Sequence, residues 1–170
     1  TIYEEHGDYL KAVDAYDVVV ENYPQSERFT EVIERQFRIA NLFLSGQKGK
    51  LMGVEILPSL SKAAKIFDSI VVNAPYSEYG DKAQFHKGLT YKKMGRFNEA
   101  REAFQGVIDQ YPQSELSAKA RFQLAETSFE KSTSQFRDQR ALDQASRDVE
   151  RFLQRYPDTE ASEKKQKIRQ

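Results

Sequence analysis

Two histidines, His6 and His86, are the residues of this sequence best suited to proton transfer near neutral pH or to metal binding. His86 lies inside a helical pattern with no His or Cys at ligand spacing, which reads as a surface or partly packed ring. Carboxylates are plentiful but scattered, as at Glu99, Glu102 and Asp109. General acid–base work needs two placed carboxylates in one pocket, and nothing in the spacing singles out a pair. Gly46-Gln47-Lys48-Gly49-Lys50 superficially resembles a phosphate loop. It lacks the four-residue separation before Gly-Lys and a following Ser or Thr, and no strand pattern precedes it. Cysteine is absent, which removes disulfides, thiol catalysis and thiolate metal sites. The expectation is a protein without catalytic residues, metal or cofactor.

Composition narrows the class further. Lys plus Arg and Asp plus Glu both total 26, so no global field would gather nucleic acid, and none is expected as a partner. The basic run from Lys164 to Arg169 reads as the solvated face of a final helix. No apolar run approaches the roughly eighteen residues of a membrane span. The start, Thr1-Ile2-Tyr3-Glu4-Glu5, matches neither a signal peptide nor a lipidation box.

What would position any functional side chain is a repeat. Pro24, Pro75, Pro112 and Pro157 each close a similar segment: AVDAYDVVVENYP, AAKIFDSIVVNAP, AREAFQGVIDQYP and ASRDVERFLQRYP. Counting back from each proline, the register holds without gaps. Ala12, Ala63, Ala100 and Ala145 share one position. Tyr16, Phe67, Phe104 and Val149 share the next, followed by Val19, Ile70, Val107 and Phe152. Offsets of three and four place these on one helix face, a small residue where helices approach and larger ones where a core is filled. The proline comes after the helix, where its missing N–H does least harm.

A second helix pattern follows each proline, with Ser26, Ser77, Ser114 and Thr159 as cap candidates. Gly88, Ala125 and Ala40 read as small packing positions on these helices, and Gly7 and Gly95 as turns between paired helices. The predicted helices are 9–22, 27–44, 58–73, 78–94, 97–110, 115–131, 139–155 and 160–169. The proline separations of 51, 37 and 45 residues exceed the usual unit of about 34. The excess is placed in insertions near 45–57 and 131–140, expected to be extended loops or extra turns. The fold class expected is all-α: a tetratricopeptide-type right-handed solenoid of stacked antiparallel helix pairs. Residues 1–170 form one array of about four units with truncated terminal units. Apolar faces at both ends point to a segment of a longer chain.

Gly7-Asp8-Tyr9-Leu10-Lys11-Ala12 and Gly95-Arg96-Phe97-Asn98-Glu99-Ala100 resemble the turn-and-alanine signature of tetratricopeptide repeats. Tyr23-Pro24-Gln25-Ser26, Tyr111-Pro112-Gln113-Ser114 and Tyr156-Pro157-Asp158-Thr159, with the long insertion of the second unit, resemble the BamD-like outer-membrane assembly lipoproteins. Tyr-Pro-x-Ser/Thr endings are also similar to those of the periplasmic coordinators of the Tol-Pal system. The first resemblance implies a non-catalytic periplasmic scaffold at the inner face of the outer membrane. Its partners would be barrel-assembly proteins and unfolded barrel substrates. Membrane association would come only through an N-terminal lipid, whose cysteine this chain lacks. A Tol-Pal-type envelope adaptor and a cytoplasmic peptide-binding module remain as alternatives.

A partner groove is expected on the first helix of each pair. Asn41 fits the asparagine of a peptide-carboxylate clamp, but the lysines of such a clamp are missing. Phe85, Leu89 and Phe122 would make the groove apolar and aromatic, suited to an extended or helical segment. Leu51 and Met52 lie in an insertion unusually rich in apolar residues, flanked by Lys48 and Lys50. Phe136 and Arg137 mark the other insertion. An aromatic and an arginine are common interface anchors, although Phe136 can equally cover neighbouring helices.

Overall fold

The computed structural model describes residues 1–45, 49–51, 54–56 and 59–155. A single turn, α1 (Ile2–Glu5), precedes α2 (Tyr9–Asn22) and α3 (Phe29–Ser45). Two short strands follow, β1 (Gly49–Leu51) and β2 (Val54–Ile56). Then come α4 (Leu60–Asn73), α5 (Gly80–Lys93), α6 (Phe97–Gln110) and α7 (Glu115–Arg155). The residues fall into two compact units, Thr1–Ser128 and Phe129–Gln170.

Within the first unit each helix packs on the next in sequence, from α1 on α2 through α5 on α6. This is the antiparallel stacking of a tetratricopeptide-type array. The proline-anchored register explains it residue by residue. Ala12, Ala63 and Ala100 are fully buried, as are Phe67 and Phe104, with Tyr16 nearly so. Burying a side chain of that size contributes roughly 1.5–3 kcal/mol, so the repeated aromatic position supplies much of the cohesion of each pair. Gly7 and Gly95 both adopt positive φ, 76° and 72°, which lets the chain reverse tightly between paired helices. The helix-initiating serines also behave alike. Ser26, Ser77 and Ser114 each accept the backbone N–H two residues on, at 3.1–3.3 Å. Helices α3 and α5 begin three residues past their serine and α7 begins directly after it. The predicted starts at 27, 58 and 78 are therefore two residues early. Thr159 and the helix expected at 160–169 lie outside the described residues.

The insertion after α3 contains an antiparallel hairpin pairing Gly49 with Ile56, Lys50 with Glu55 and Leu51 with Val54. It returns to the array at Ser59, whose N–H donates to the Phe43 carbonyl at 3.0 Å and whose hydroxyl caps α4. The second expected insertion is corrected. Residues 131–140 lie inside α7, which runs 41 residues from Glu115 to Arg155 in place of separate helices at 115–131 and 139–155. That stretch, KSTSQFRDQR, holds neither glycine nor proline, so nothing in its backbone chemistry forces a break. Ala125 follows from this. It was expected to pack against a neighbouring helix as Gly88 does, but α7 continues where a turn was expected, and Ala125 is exposed. Ser117, Ala120 and Thr127 are buried small positions of that helix. Ala145 is on the α7 backbone, and its side chain lies outside the described set.

Candidate partner-binding surface

The C-terminal end of α5 reaches the first helices of the pairs on either side. Lys93 of α5 donates to the Leu44 carbonyl of α3 at 3.4 Å. Lys92 donates to Gln123 at 3.2 Å and pairs with Glu126 at 2.6 Å, both on α7. The ammonium beside Glu126 holds that carboxyl below its ordinary range. Two adjacent lysines in the last turn of α5 thus bridge to the helices on either side, where they also complement the negative helix end. Sequence reasoning missed the pairing of Lys92 with Glu126. The signal was the Lys92-Lys93 pair closing a helix.

The expected groove residues separate on this framework. Asn41 is half-buried and spends its amide on the Phe37 carbonyl of its own helix, at 3.0 Å. Phe85 and Leu89 are half-buried and pack against the cluster around Phe104 and Val107. Phe85 meets the Phe104 ring at 5.6 Å between centroids. Phe122 is 66% exposed and Phe136 67%. Lys50 and Leu51 fall on β1, with side chains outside the described set. Lys48 and Met52 lie outside the described residues, and Arg137 is described only through its α7 backbone.

His86 is enclosed by rings of three helices: Phe37 at 5.2 Å, Phe67 at 5.5 Å and Phe85 at 6.2 Å between centroids. Its Nδ1 is buried without a hydrogen-bond partner, and burial pushes its pKa below the ordinary histidine value. A neutral imidazole packed among phenylalanines is a structural group here. Among the described residues no cluster of His, Cys, Asp or Glu could hold a metal ion. No described helix is long and apolar enough to cross a membrane.

At the start of the array a buried charge cluster joins three helices. Glu4 of α1 is 3% exposed. It accepts a short hydrogen bond from the Tyr16 hydroxyl and pairs with Arg35 at 2.8 Å. Burial alone would raise its carboxyl. The Tyr16 and Arg35 hydrogen bonds and the guanidinium charge outweigh that and leave it lowered. Beside this cluster α1, α2 and α3 enclose an open recess of about 1000 Å³, lined by Tyr16, Val19, Tyr23, Arg28, Val32 and Arg35 among others.

Among known families, an outer membrane lipoprotein model, YfiO, matches residues 58–170, and a tetratricopeptide repeat model matches residues 1–26. A search of curated proteins finds no match. The first model spans more than half of the chain, and the stacked helix pairs agree with the second. The chain belongs to the YfiO family of outer membrane lipoproteins and is built on tetratricopeptide-type repeats.

Proposed function

We propose that this protein is a non-enzymatic scaffold that holds partner proteins during assembly of outer-membrane β-barrels. The observation that carries this reading is the family match over residues 58–170, taken with a stack of helix pairs whose first helices are cross-braced by Lys92 and Lys93. A braced stack offers a fixed surface, and binding there positions a partner without a covalent step. The partners are the periplasmic parts of a barrel insertase and unfolded barrel substrates. The site of work is the periplasmic face of the outer membrane. Counting residues 1–170 as one array of about four units is part of the same proposal. The exposed Phe122 and Phe136 and the hairpin insertion with Lys48, Lys50, Leu51 and Met52 are the proposed contact points, joined by Arg137. The face of Asn41, Phe85 and Leu89 contributes where those side chains remain half-exposed.

Affinity capture from envelope extract tests this. Specific recovery of a barrel insertase, lost on competition with untagged protein, supports it. Recovery of Tol-Pal components in its place overturns it in favour of an envelope adaptor.

A further inference from the structure

The hairpin insertion leaves α3 after Ser45 and returns at Ser59, so both of its roots sit at the C-terminal end of that helix. Two lysines from other helices reach the same place. The Lys62 ammonium of α4 lies over the Phe43 ring, 5.4 Å from its centroid. The Lys93 ammonium of α5 donates to the Leu44 carbonyl at 3.4 Å. Lys65, one turn beyond Lys62 on α4, extends the row, and all three lysines are exposed. Among the described residues no carboxylate pairs with Lys62, Lys65 or Lys93. The last turn of α3 has no basic residue of its own, and its negative end accounts for one such cation. The other two serve no ion pair of the fold.

The insertion itself adds Lys48 and Lys50, with Glu55 as its one acid, and the apolar residues Leu51, Met52, Val54, Ile56 and Leu57. Its two strands pack on each other, and no helix packs against them as neighbouring helices pack together. A two-stranded ribbon is marginally stable in water by itself, so an apolar one needs a surface to lie on. Charge is also divided between the ends of the array. The proline loops lie at the opposite end of the antiparallel pairs. There Glu21, Glu27, Glu78, Asp109 and Glu115 are exposed, against Arg28 and Lys82.

We propose that the hairpin and the lysines at its root form a membrane-binding edge. The apolar residues of the hairpin enter the headgroup region of a bilayer, and Lys48, Lys50, Lys62, Lys65 and Lys93 meet anionic lipid headgroups. Apolar burial and attraction to anionic lipid add together in contacts of this kind. An acidic protein segment would engage the lysines and leave the apolar ribbon unburied. The same lipid surface repels the acidic proline-loop end, which orients the array hairpin first. The inference goes beyond the scaffold reading and does not need it. Vesicles hold no protein, so the two can fail separately.

Flotation of the purified polypeptide, free of any attached lipid, tests this. The vesicles are phosphatidylcholine alone, or phosphatidylcholine with about one third phosphatidylglycerol. The protein should float with the anionic vesicles and stay behind with the neutral ones, and salt should weaken the binding. Lys62→Glu, Lys65→Glu and Lys93→Glu combined should weaken it by about tenfold or more. Lys119→Glu with Arg121→Glu, exposed on α7, should bind as the native protein does. The sequence has no tryptophan, so Met52→Trp gives a single reporter whose emission should shift to the blue on anionic vesicles. Equal flotation with both vesicle types, or none with either, overturns the proposal. So does flotation without the blue shift. Capture of polyglutamate as tight as that of anionic vesicles, again without the shift, assigns the edge to an acidic protein and also overturns it. If circular dichroism shows that the triple variant does not fold, Lys62→Gln with Lys65→Gln decides, since Lys93 keeps its bond to Leu44. That pair should weaken vesicle binding by about threefold or more, and unchanged binding overturns the proposal.

Discussion

Gly88 of α5 crosses the ring of Phe104 so closely that alanine at this position would drive its β-carbon to 2.6 Å from a ring carbon. The two residues form a tight joint of the third helix pair. A glycine inside a helix costs about 1 kcal/mol relative to alanine, so close packing offsets that loss. Gly88→Ala should nevertheless destabilise by about 1–2 kcal/mol, because overpacking typically costs more than the helix gains. Phe104→Ala should cost about 3–5 kcal/mol. Combining Gly88→Ala with Phe104→Leu should cost less than the sum of the single changes, since the smaller side chain relieves the clash. Urea denaturation of the native protein, Gly88→Ala, Phe104→Leu and the double variant checks this, and strict additivity would contradict the contact.

The Glu4 cluster makes a second prediction. Arg35→Met should destabilise by about 1–3 kcal/mol, because it leaves a nearly buried carboxylate short of its cation while the partly exposed arginine loses only a screened interaction. Tyr16→Phe should cost about 1–2 kcal/mol through loss of one hydrogen bond to a charged group. Glu4→Gln added to Arg35→Met should recover part of the loss. Thermal melting near neutral pH measures all three.

The pH dependence can be assigned to the same kind of chemistry. His86 titrates below the ordinary histidine value of 6.5 in the folded protein because burial disfavours its charged form. Between the two pKa values the unfolded chain binds more protons, so stability falls as pH drops below about 6.5 and levels off once the folded ring is also protonated. His86→Phe, which fits the surrounding rings, should flatten that slope. Glu4 acts at lower pH. Its folded pKa is depressed below 4.5, so its contribution is complete above that value and is lost as pH falls further. Urea midpoints measured between pH 5 and 8 should therefore slope in the native protein and lie flatter in His86→Phe.

Charge reversal at Lys48 and Lys50 should weaken partner capture by about tenfold or more, equivalent to ~1.4 kcal/mol, while leaving helix content unchanged. Far-ultraviolet circular dichroism and quantitative capture, run on the same preparations, separate the two effects. Equal binding by the native and doubly substituted proteins would remove the hairpin insertion from the contact surface.

Much of the fold was legible because its determinants are local. The alanine, the aromatic and the proline of each hairpin sit within thirteen residues, and their spacing alone places Ala12, Tyr16, Ala63, Phe67, Ala100 and Phe104 in the core. What escaped was either non-local or decided by a missing signal. Lys92 and Glu126 are far apart in sequence and meet only once α5 and α7 are stacked. Nothing beside Glu4 in the sequence marks it as buried, since its cation Arg35 arrives from α3. The break expected near 131–140 rested on unit length alone. With neither glycine nor proline there, helix formation simply continued, which left Ala125 in solvent.

The most direct test of the scaffold reading is a titration of the purified periplasmic domains of a barrel insertase against this protein, followed by calorimetry or surface plasmon resonance. Saturable one-to-one binding with a Kd of about 10 µM or tighter, equivalent to roughly −7 kcal/mol, is the expected result. No binding at concentrations tenfold higher, by a protein whose melting curve shows it to be folded, would contradict it.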